Sequence, residues 1–127
     1  NVNSMGYIFY GCSSLTTLDV SNWNTGNVTT FVGMFSGCKS LNILNVSNFN
    51  TEKATNLSEM FYNCQKISEL DVSHFNTSNV SAMNHMFSGC YEVEVLNVSN
   101  FNTSKVKYMQ LMFTNCKKVT NLDLSSF

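Results

Sequence analysis

Cysteine is the residue type whose spacing in this chain most suggests chemistry. Its five copies recur at one constant interval, at Cys12, Cys38, Cys64, Cys90 and Cys116. Zinc sites pair Cys or His at short spacings such as C-x₂-C, and no such pair occurs here. Thiols on neighbouring strands would lie about 4.8 Å apart, whereas the Cβ atoms of a disulfide are about 3.8 Å apart. We therefore interpret the cysteines as a column of small buried side chains, with no metal and no disulfide.

The histidines give no catalytic arrangement. His74 occupies the position that Asn22, Asn48 and Asn100 hold in other parts of the chain, which is typical of a variable turn residue, and His85 lies in a variable stretch. Neither histidine has a nucleophile that the sequence places beside it. A calcium loop of the type Asp-x-Asp-x-Asp is also missing. We expect a protein that is not an enzyme and has no catalytic residue, cofactor or metal.

The regular spacing extends to the apolar residues that must position these side chains. Each unit has an apolar pair before its cysteine, a Leu-x-x-Leu type pair after it, and a closing aromatic residue, namely Trp23, Phe49, Phe75, Phe101 and Phe127. Self-similarity at a fixed period in the twenties is the signature of a solenoid. The sequence predicts one domain of five coils, residues 1–26, 27–52, 53–78, 79–104 and 105–127. The lack of an initiator Met and of a polar capping unit predicts a segment of a longer protein.

The pattern within one coil predicts a strand followed by a short helical turn. Leu41-x-x-Leu44-x-Val46 has the alternation of a half-buried strand, and stacked coils would pair such strands in parallel. The spacing of three and four residues on the other side is that of a short amphipathic helix or a 3₁₀ turn, at Ala54, Leu57, Met60, Phe61 and Cys64. Asn63 or Gly37 would lie near the end of this turn, where left-handed dihedrals are tolerated. The predicted fold class is α/β, a right-handed leucine-rich-repeat solenoid with a parallel β-sheet on one side and short helical turns on the other.

The composition argues against two classes of partner. The formal net charge is −1 and only 12% of residues are charged, so no basic footprint for nucleic acid or anionic lipid exists. No apolar run is long enough to cross a membrane, so we expect no membrane insertion in this segment.

The unit resembles a known family. Residues 60–77 read Met-Phe-x-x-Cys-x-x-Ile-x-x-Leu-Asp-Val-Ser-x-Phe-Asn-Thr, which resembles the BspA-like leucine-rich repeat family of surface proteins, in its 26-residue branch common in mycoplasmas and other low-GC bacteria. Departures are few: Ile8 replaces Met, Ala54 replaces Val and Trp23 replaces Phe. The resemblance implies an extracellular or cell-surface protein that mediates adhesion or other contacts, with a protein or glycan ligand on a host or neighbouring cell. It implies no catalytic residue.

The outward strand positions are the predicted partner-binding surface. The first position of each strand varies, at Thr17, Ile43, Glu69, Val95 and Asn121, and the position two residues later is Asp19, Asn45, Asp71, Asn97 or Asp123. A constant scaffold that carries one variable column suits ligand recognition. The opposite, convex side is the competing surface because it also varies, at Tyr62, Asn84, His85, Tyr91, Glu92, Lys107 and Tyr108.

Two other functions compete with partner binding. Coils without caps could stack end to end and form an open-ended filament or surface layer. A threonine column at Thr25, Thr51, Thr77 and Thr103 repeats at strand spacing, as in regular ice-binding surfaces. Hydrogen bonds that stabilise a turn are the other explanation of these threonines.

Overall fold

Successive repeats stack on one another through an unbroken ladder of parallel β-bridges. The computed structural model describes residues 2–127. Parallel bridges join Ser4 to Thr30, Thr30 to Asn56, Asn56 to Ala82 and Ala82 to Tyr108. Each partner occupies the equivalent position in the next repeat, so each predicted unit, named a coil below, lies against the next in chain order. The hand of the superhelix stays a prediction.

The β-structure on the Leu-x-x-Leu side is shorter than the sequence predicts. Strand β1 is Thr17–Leu18 and strand β2 is Ile43–Leu44, and they pair in parallel with Thr17 opposite Ile43. A single further bridge joins Glu69 to Val95 on this side. Both strands end early because the next side chain, Asp19 or Asn45, folds back on its own backbone and competes with the ladder.

No helix forms in residues 2–127, so the predicted helical turn, and with it the α/β class, is not confirmed. In its place the chain makes overlapping tight turns, in which the N–H groups of Met34, Ser36 and Cys38 donate to carbonyls three residues earlier at 3.1 Å. Gly33 and Gly37 have φ of 58° and 77°, in the left-handed region that interrupts a right-handed helix. We name this segment the turn arc, residues 5–12, 31–38, 57–64, 83–90 and 109–116.

The remaining N–H groups of the turn arc bind the next coil. Those of Phe31, Gly33, Phe35 and Gly37 donate to the carbonyls of residues 56, 58, 60 and 62 at 2.7–3.0 Å. A helix would use all its N–H groups within the segment, whereas these turns leave every second one free for the neighbouring coil. The turn arc thereby supplies the hydrogen bonds that hold the coils together.

Left-handed residues form two columns in the turn arc. One column is Tyr7, Gly33, Glu59, His85 and Leu111, and the other is Gly11, Gly37, Asn63, Gly89 and Asn115, all with φ between 55° and 80°. The left-handed conformation expected at Asn63 and Gly37 is confirmed. The first column was not predicted, because Tyr, Glu, His and Leu are residue types that seldom adopt this conformation.

The core consists of the predicted inward columns. The Met-Phe pairs, the aliphatic pairs and the closing aromatic residues are buried in the interior coils. One phenylalanine from each turn arc stacks on the next, with ring centroids 5.7–5.9 Å apart from Phe9 through Phe113. Because each ring is covered by the coils on both sides, no coil buries its own core alone.

Candidate binding surface

The strand side presents a row of exposed side chains over a buried layer. We name this surface the strand face, the exposed side chains of residues 16–19, 42–45, 68–71, 94–97 and 120–123. Leu44, Leu70 and Leu96 are buried beneath it, as the predicted alternation requires. Ile43 and Val95 are 64% and 75% exposed, which is unusual for aliphatic residues, and Glu69 lies between them. Thr17 and Asn121, the remaining members of the variable column, are also exposed.

The constant column of the strand face has a structural role. In every coil one side-chain oxygen accepts the backbone N–H two residues later, at 2.9–3.2 Å, from Asp19, Asn45, Asp71, Asn97 and Asp123. This geometry is an Asx turn, which Asp and Asn form equally well. The alternation of Asp and Asn, followed by Ser two residues later, was the sequence signal for this role. These five side chains therefore have a structural role, and the contact with a partner predicted for them and for the variable column stays a prediction.

The Asx turns also keep the strand face negative. Hydrogen bonds from the Ser21 hydroxyl and backbone N–H lower the pKa of the Asp19 carboxyl below 3.8. Ser73 and Ser125 lower the pKa of Asp71 and Asp123 in the same way. Bonds to the ionised form favour that form, so these carboxylates are charged at neutral pH.

The charge of the whole chain is unevenly divided between its faces. Five of the eight acidic residues lie on the strand face, namely Asp19, Glu69, Asp71, Glu94 and Asp123, and none of the seven lysines does. Among the residues that the structure describes, only Glu94 of these five has an ion-pair partner, the ammonium of Lys118 at 3.9 Å, and that lysine bonds Glu92 more closely at 2.7 Å. The strand face is therefore the acidic side of a nearly neutral protein.

A groove runs along the strand face. Its largest depression, about 540 Å³, lies between the third and fourth coils and is lined by Glu69, Asp71, Glu94, Val95 and Asn97, with residues 68 and 70 at its base. Shallower depressions continue it on both sides, between the second and third coils and between the fourth and fifth. The bridge between Glu69 and Val95 lies within the largest depression, whereas within residues 2–127 no bridge on this side joins the second coil to the third or the fourth to the fifth.

Most of the competing convex residues are already engaged with neighbours. The Tyr62 ring lies edge-on to His85, with centroids 5.7 Å apart, and Asn84 accepts a 2.7 Å hydrogen bond from the Ser58 hydroxyl. Tyr91 lies under the ammonium of Lys117, and Glu92 is paired with Lys118. Lys107 and Tyr108 are exposed. Variation on this side largely reflects contacts between coils, so the strand face offers the freer side chains.

The threonine column does not form an ice-binding surface. Thr25, Thr51 and Thr77 are 1–2% exposed, and their hydroxyls donate to carbonyls of the next coil at 3.0–3.1 Å. The N–H groups of Asn50 and Asn102 donate back to two of these hydroxyls at 2.7 Å. A buried and bonded hydroxyl has no freedom to order water. The threonines join coil to coil instead, a longer-range role than the local turn expected from the sequence.

The cysteines and histidines take structural positions. Each thiol after the first donates to the carbonyl of a phenylalanine in the preceding coil at 3.2 Å, as Cys64 does to Phe35. Burial raises the pKa of Cys38 and Cys116 to about 11, which keeps both thiols protonated. Cys12, in the first coil, is exposed. The expected buried column is thus confirmed from Cys38 through Cys90, with Cys116 half-buried.

His74 is a turn residue, as predicted. Its Nε2 lies 3.1 Å from the Val46 carbonyl, where Asn48 in the coil before it bonds the Val20 carbonyl. His85 packs on Tyr62, and its Nδ1 is buried without a hydrogen-bond partner. No group of three or more potential metal ligands occurs within residues 2–127. None of these side chains contributes to a site on the strand face.

Comparisons with known proteins agree with this architecture. The family described as "Mycoplasma protein of unknown function, DUF285" matches residues 1–70 and 43–127, and no curated protein matches the chain. A leucine-rich cell surface protein from Faecalibacterium prausnitzii A2-165 is similar in structure, with a TM-score of 0.58 and 17% identity over 94% of this chain and 36% of its own. A leucine-rich repeat protein from Bacteroides ovatus ATCC 8483 gives a TM-score of 0.48 and 20% identity over 94% of this chain and 34% of its own.

The scope of these likenesses is limited to the fold. The chain spans about a third of the length of each solved structure that it resembles. The Faecalibacterium structure shows that the chain folds as a leucine-rich-repeat solenoid. In the part of the chain that the structure describes, no helix has the length and apolarity needed to cross a membrane.

Proposed function

The chain belongs to the DUF285 family, whose 26-residue unit is a BspA-like leucine-rich repeat, and from this premise we propose that it is a non-catalytic binding module. It acts at the cell surface or outside the cell and holds a protein or glycan partner, on a host or neighbouring cell, against the strand face. Adhesion is the biological outcome of that contact.

The observation that carries this proposal is the exposure of the variable column. Ile43 and Val95 are both mostly exposed, although the same strands bury a leucine one residue later. Aliphatic side chains beside a groove, rimmed by polar groups, are typical of interaction sites. The roles of His74 and the cysteines support a binding function rather than catalysis, since a histidine that bonds a carbonyl and thiols with a raised pKa are poor catalytic groups.

A triple substitution tests the strand face. Ile43→Ser, Glu69→Gln and Val95→Ser together remove the exposed apolar and acidic groups without touching the buried leucines. We expect binding of the fluorescently labelled protein to cultured epithelial cells and to a glycan array to be lost, with an unchanged circular dichroism spectrum. The matched control is Lys107→Ser with Tyr108→Ser on the convex side, which should bind as the wild type does. Loss of binding only in the control would move the site to the convex side.

The alternative function is end-to-end stacking of separate copies, which would join the last turn arc of one copy to the first turn arc of the next. At the last turn arc the N–H groups of residues 109, 111, 113 and 115 meet no backbone carbonyl of the described chain, and at the first one the carbonyls of residues 4, 6, 8 and 10 accept no backbone hydrogen bond. The two rows have the spacing that joins every interior pair of coils. Ile8 and Leu111 are exposed beside them, so a second copy would cover both.

Sedimentation velocity across a concentration series tests the stacking alternative. Oligomers that grow with concentration, and filaments in negative-stain micrographs, would favour a structural role. A monomer at every concentration would exclude stacking of this chain and leave partner binding as the function.

A further inference from the structure

The strand face has the properties of a docking site for a cationic polypeptide. It carries five carboxylates and no lysine, so its field attracts positive charge and repels acidic glycans and nucleic acid. Its variable column has no aromatic side chain, the group on which sugar rings usually stack. Both features favour a polypeptide over a glycan.

The spacing of the apolar residues sets the conformation of this ligand. Ile43 and Val95 lie two coils apart, and two steps of the ladder that joins the same coils through Thr30, Asn56 and Ala82 correspond to about 9.6 Å at the usual separation of paired strands. A polyproline II segment has three residues per turn and rises about 3.1 Å per residue. Its residues i and i+3 therefore point to the same side about 9.3 Å apart, in register with the two aliphatic side chains. A β-strand brings residues to one side only at spacings of about 6.7 or 13 Å, which fit less well.

The groove between the third and fourth coils would accept the cationic groups. Carboxylates of Glu69, Asp71 and Glu94 line the same depression of about 540 Å³, and Val95 forms an apolar wall for an aliphatic stem. A guanidinium or ammonium group there would meet more than one carboxylate, and its methylene chain would cover Val95.

We propose that the strand face binds a basic, polyproline II-like segment of a partner protein, with aliphatic side chains three residues apart on Ile43 and Val95 and Arg or Lys between them over Glu69. The proposal rests on the proposed function and adds the chemistry of the partner. Running along the solenoid axis, such a segment would cross several coils, and the spacing of its side chains would match the spacing of the coils.

A synthetic peptide tests the proposal directly. The probe is a proline-rich nonapeptide with valine at positions i and i+3 and arginine between them. Its controls replace the arginines by citrulline or move the second valine to i+2. We expect fluorescence anisotropy to show saturable binding that weakens as salt rises, and each control peptide to bind at least about fivefold more weakly.

Two protein variants locate the binding. Glu69→Gln with Glu94→Gln should weaken binding of the arginine peptide by about fivefold or more and flatten its salt dependence. Glu52→Gln with Glu59→Gln removes the same charge away from the strand face and should change binding less than about twofold. Equal losses in the two variants would overturn the proposal, because the effect would then be one of net charge alone.

The outcomes separate this proposal from the proposed function. Suppose that the wild type fails to bind the arginine peptide while the Ile43, Glu69 and Val95 triple variant loses cell or glycan binding. In that case the strand face is a site for another ligand, and the proposal of a cationic segment is wrong. If the triple variant also binds cells and glycans normally, both proposals are wrong. Binding of the peptide that disappears in the triple variant supports both.

Discussion

The two columns of residues with left-handed backbone show how the neighbouring coil limits the residue type at a single position. In the column Gly11, Gly37, Asn63, Gly89 and Asn115, no two consecutive coils carry a side chain. A Cβ on Gly89 would lie 2.3 Å from the Asn63 side-chain oxygen and 3.2 Å from its Cα. Glycine is therefore needed wherever the neighbouring coil already has asparagine.

Alanine substitutions at two glycines separate backbone strain from this clash. Gly11 has φ of 71° and nothing within 4 Å of an added Cβ, so Gly11→Ala should cost only about 1–2 kcal/mol for the left-handed conformation. Gly89→Ala adds the contact with Asn63 and should cost about 2–4 kcal/mol. Urea denaturation followed by circular dichroism measures both. Equal costs would show that the clash is relieved by a small shift of the Asn63 side chain.

The buried threonines give a second matched pair. Thr77 donates to the Asn102 carbonyl and accepts the Asn102 N–H, whereas the Thr103 hydroxyl makes no hydrogen bond within residues 2–127. Thr77→Val should cost about 1–3 kcal/mol, since the shape is kept and buried polar groups lose a partner. Thr103→Val should stay within about 0.5 kcal/mol of the wild type. A large effect at Thr103 in urea denaturation would mean that the column acts within its own coil.

The Asx turns predict how the protein responds to acid. A carboxyl with a lowered folded-state pKa stabilises the fold only while ionised, so the contribution of Asp19, Asp71 and Asp123 is present above pH 3.8 and is lost as the pH falls through their folded-state pKa. Changing all three to Asn keeps the turns, as Asn45 and Asn97 show, and should flatten the fall of the melting temperature below about pH 4. Asn45→Asp should steepen it. Parallel curves for all three proteins would assign the acid response to other groups.

At the scale of elements, the repeat determines which residues face inward, and the sequence therefore predicts the core correctly. The predicted helical turn does not form, for a specific reason. Overlapping tight turns also bring Leu57, Met60, Phe61 and Cys64 to one side of the chain, so they share the spacing of a helix. The distinction lies in which carbonyls the N–H groups use, and those carbonyls belong to the next coil. A local pattern contains no signal for such a bond, and Glu59 and His85 are poor indicators of left-handed backbone.

Hydrogen exchange should reveal these bonds between coils. The amides of Phe35, Phe61 and Phe87 each donate to the next coil, and the equivalent amide of Phe113 donates to no backbone carbonyl of residues 2–127. In a dilute monomer we expect slow exchange at the first three and fast exchange at Phe113. The Cys116 amide, which bonds the Phe113 carbonyl in its own coil, is the internal control and should be partly protected. Protection of Phe113 that grows with concentration would instead support end-to-end stacking.

At the scale of the whole molecule, the two sides of the solenoid have different roles. The residue before each segment of the turn arc belongs to an unbroken ladder of parallel bridges, and the strand side carries the groove that holds the candidate site. The sequence predicted the variable column, including Ile43, Glu69 and Val95, because strand alternation fixes which residues point outward. It did not predict that Asp71 and its equivalents serve the fold, although Asp or Asn two residues before Ser is a local signal for an Asx turn. It did not predict the groove either, because a groove depends on how neighbouring coils pack.

Deletion of one complete coil tests whether stability is a sum over repeats. Removing residues 53–78 joins the second coil to the fourth with every column still in register, since the deleted segment is one whole period of the sequence. Because each coil contacts only its neighbours, the variant should fold with a similar circular dichroism spectrum, and its urea m-value should fall by about a fifth with the buried surface. Removing residues 53–65 is the control, because it places strand residues against a turn arc and should abolish folding. If the complete deletion also unfolds, the third coil makes contacts that the repeat does not explain.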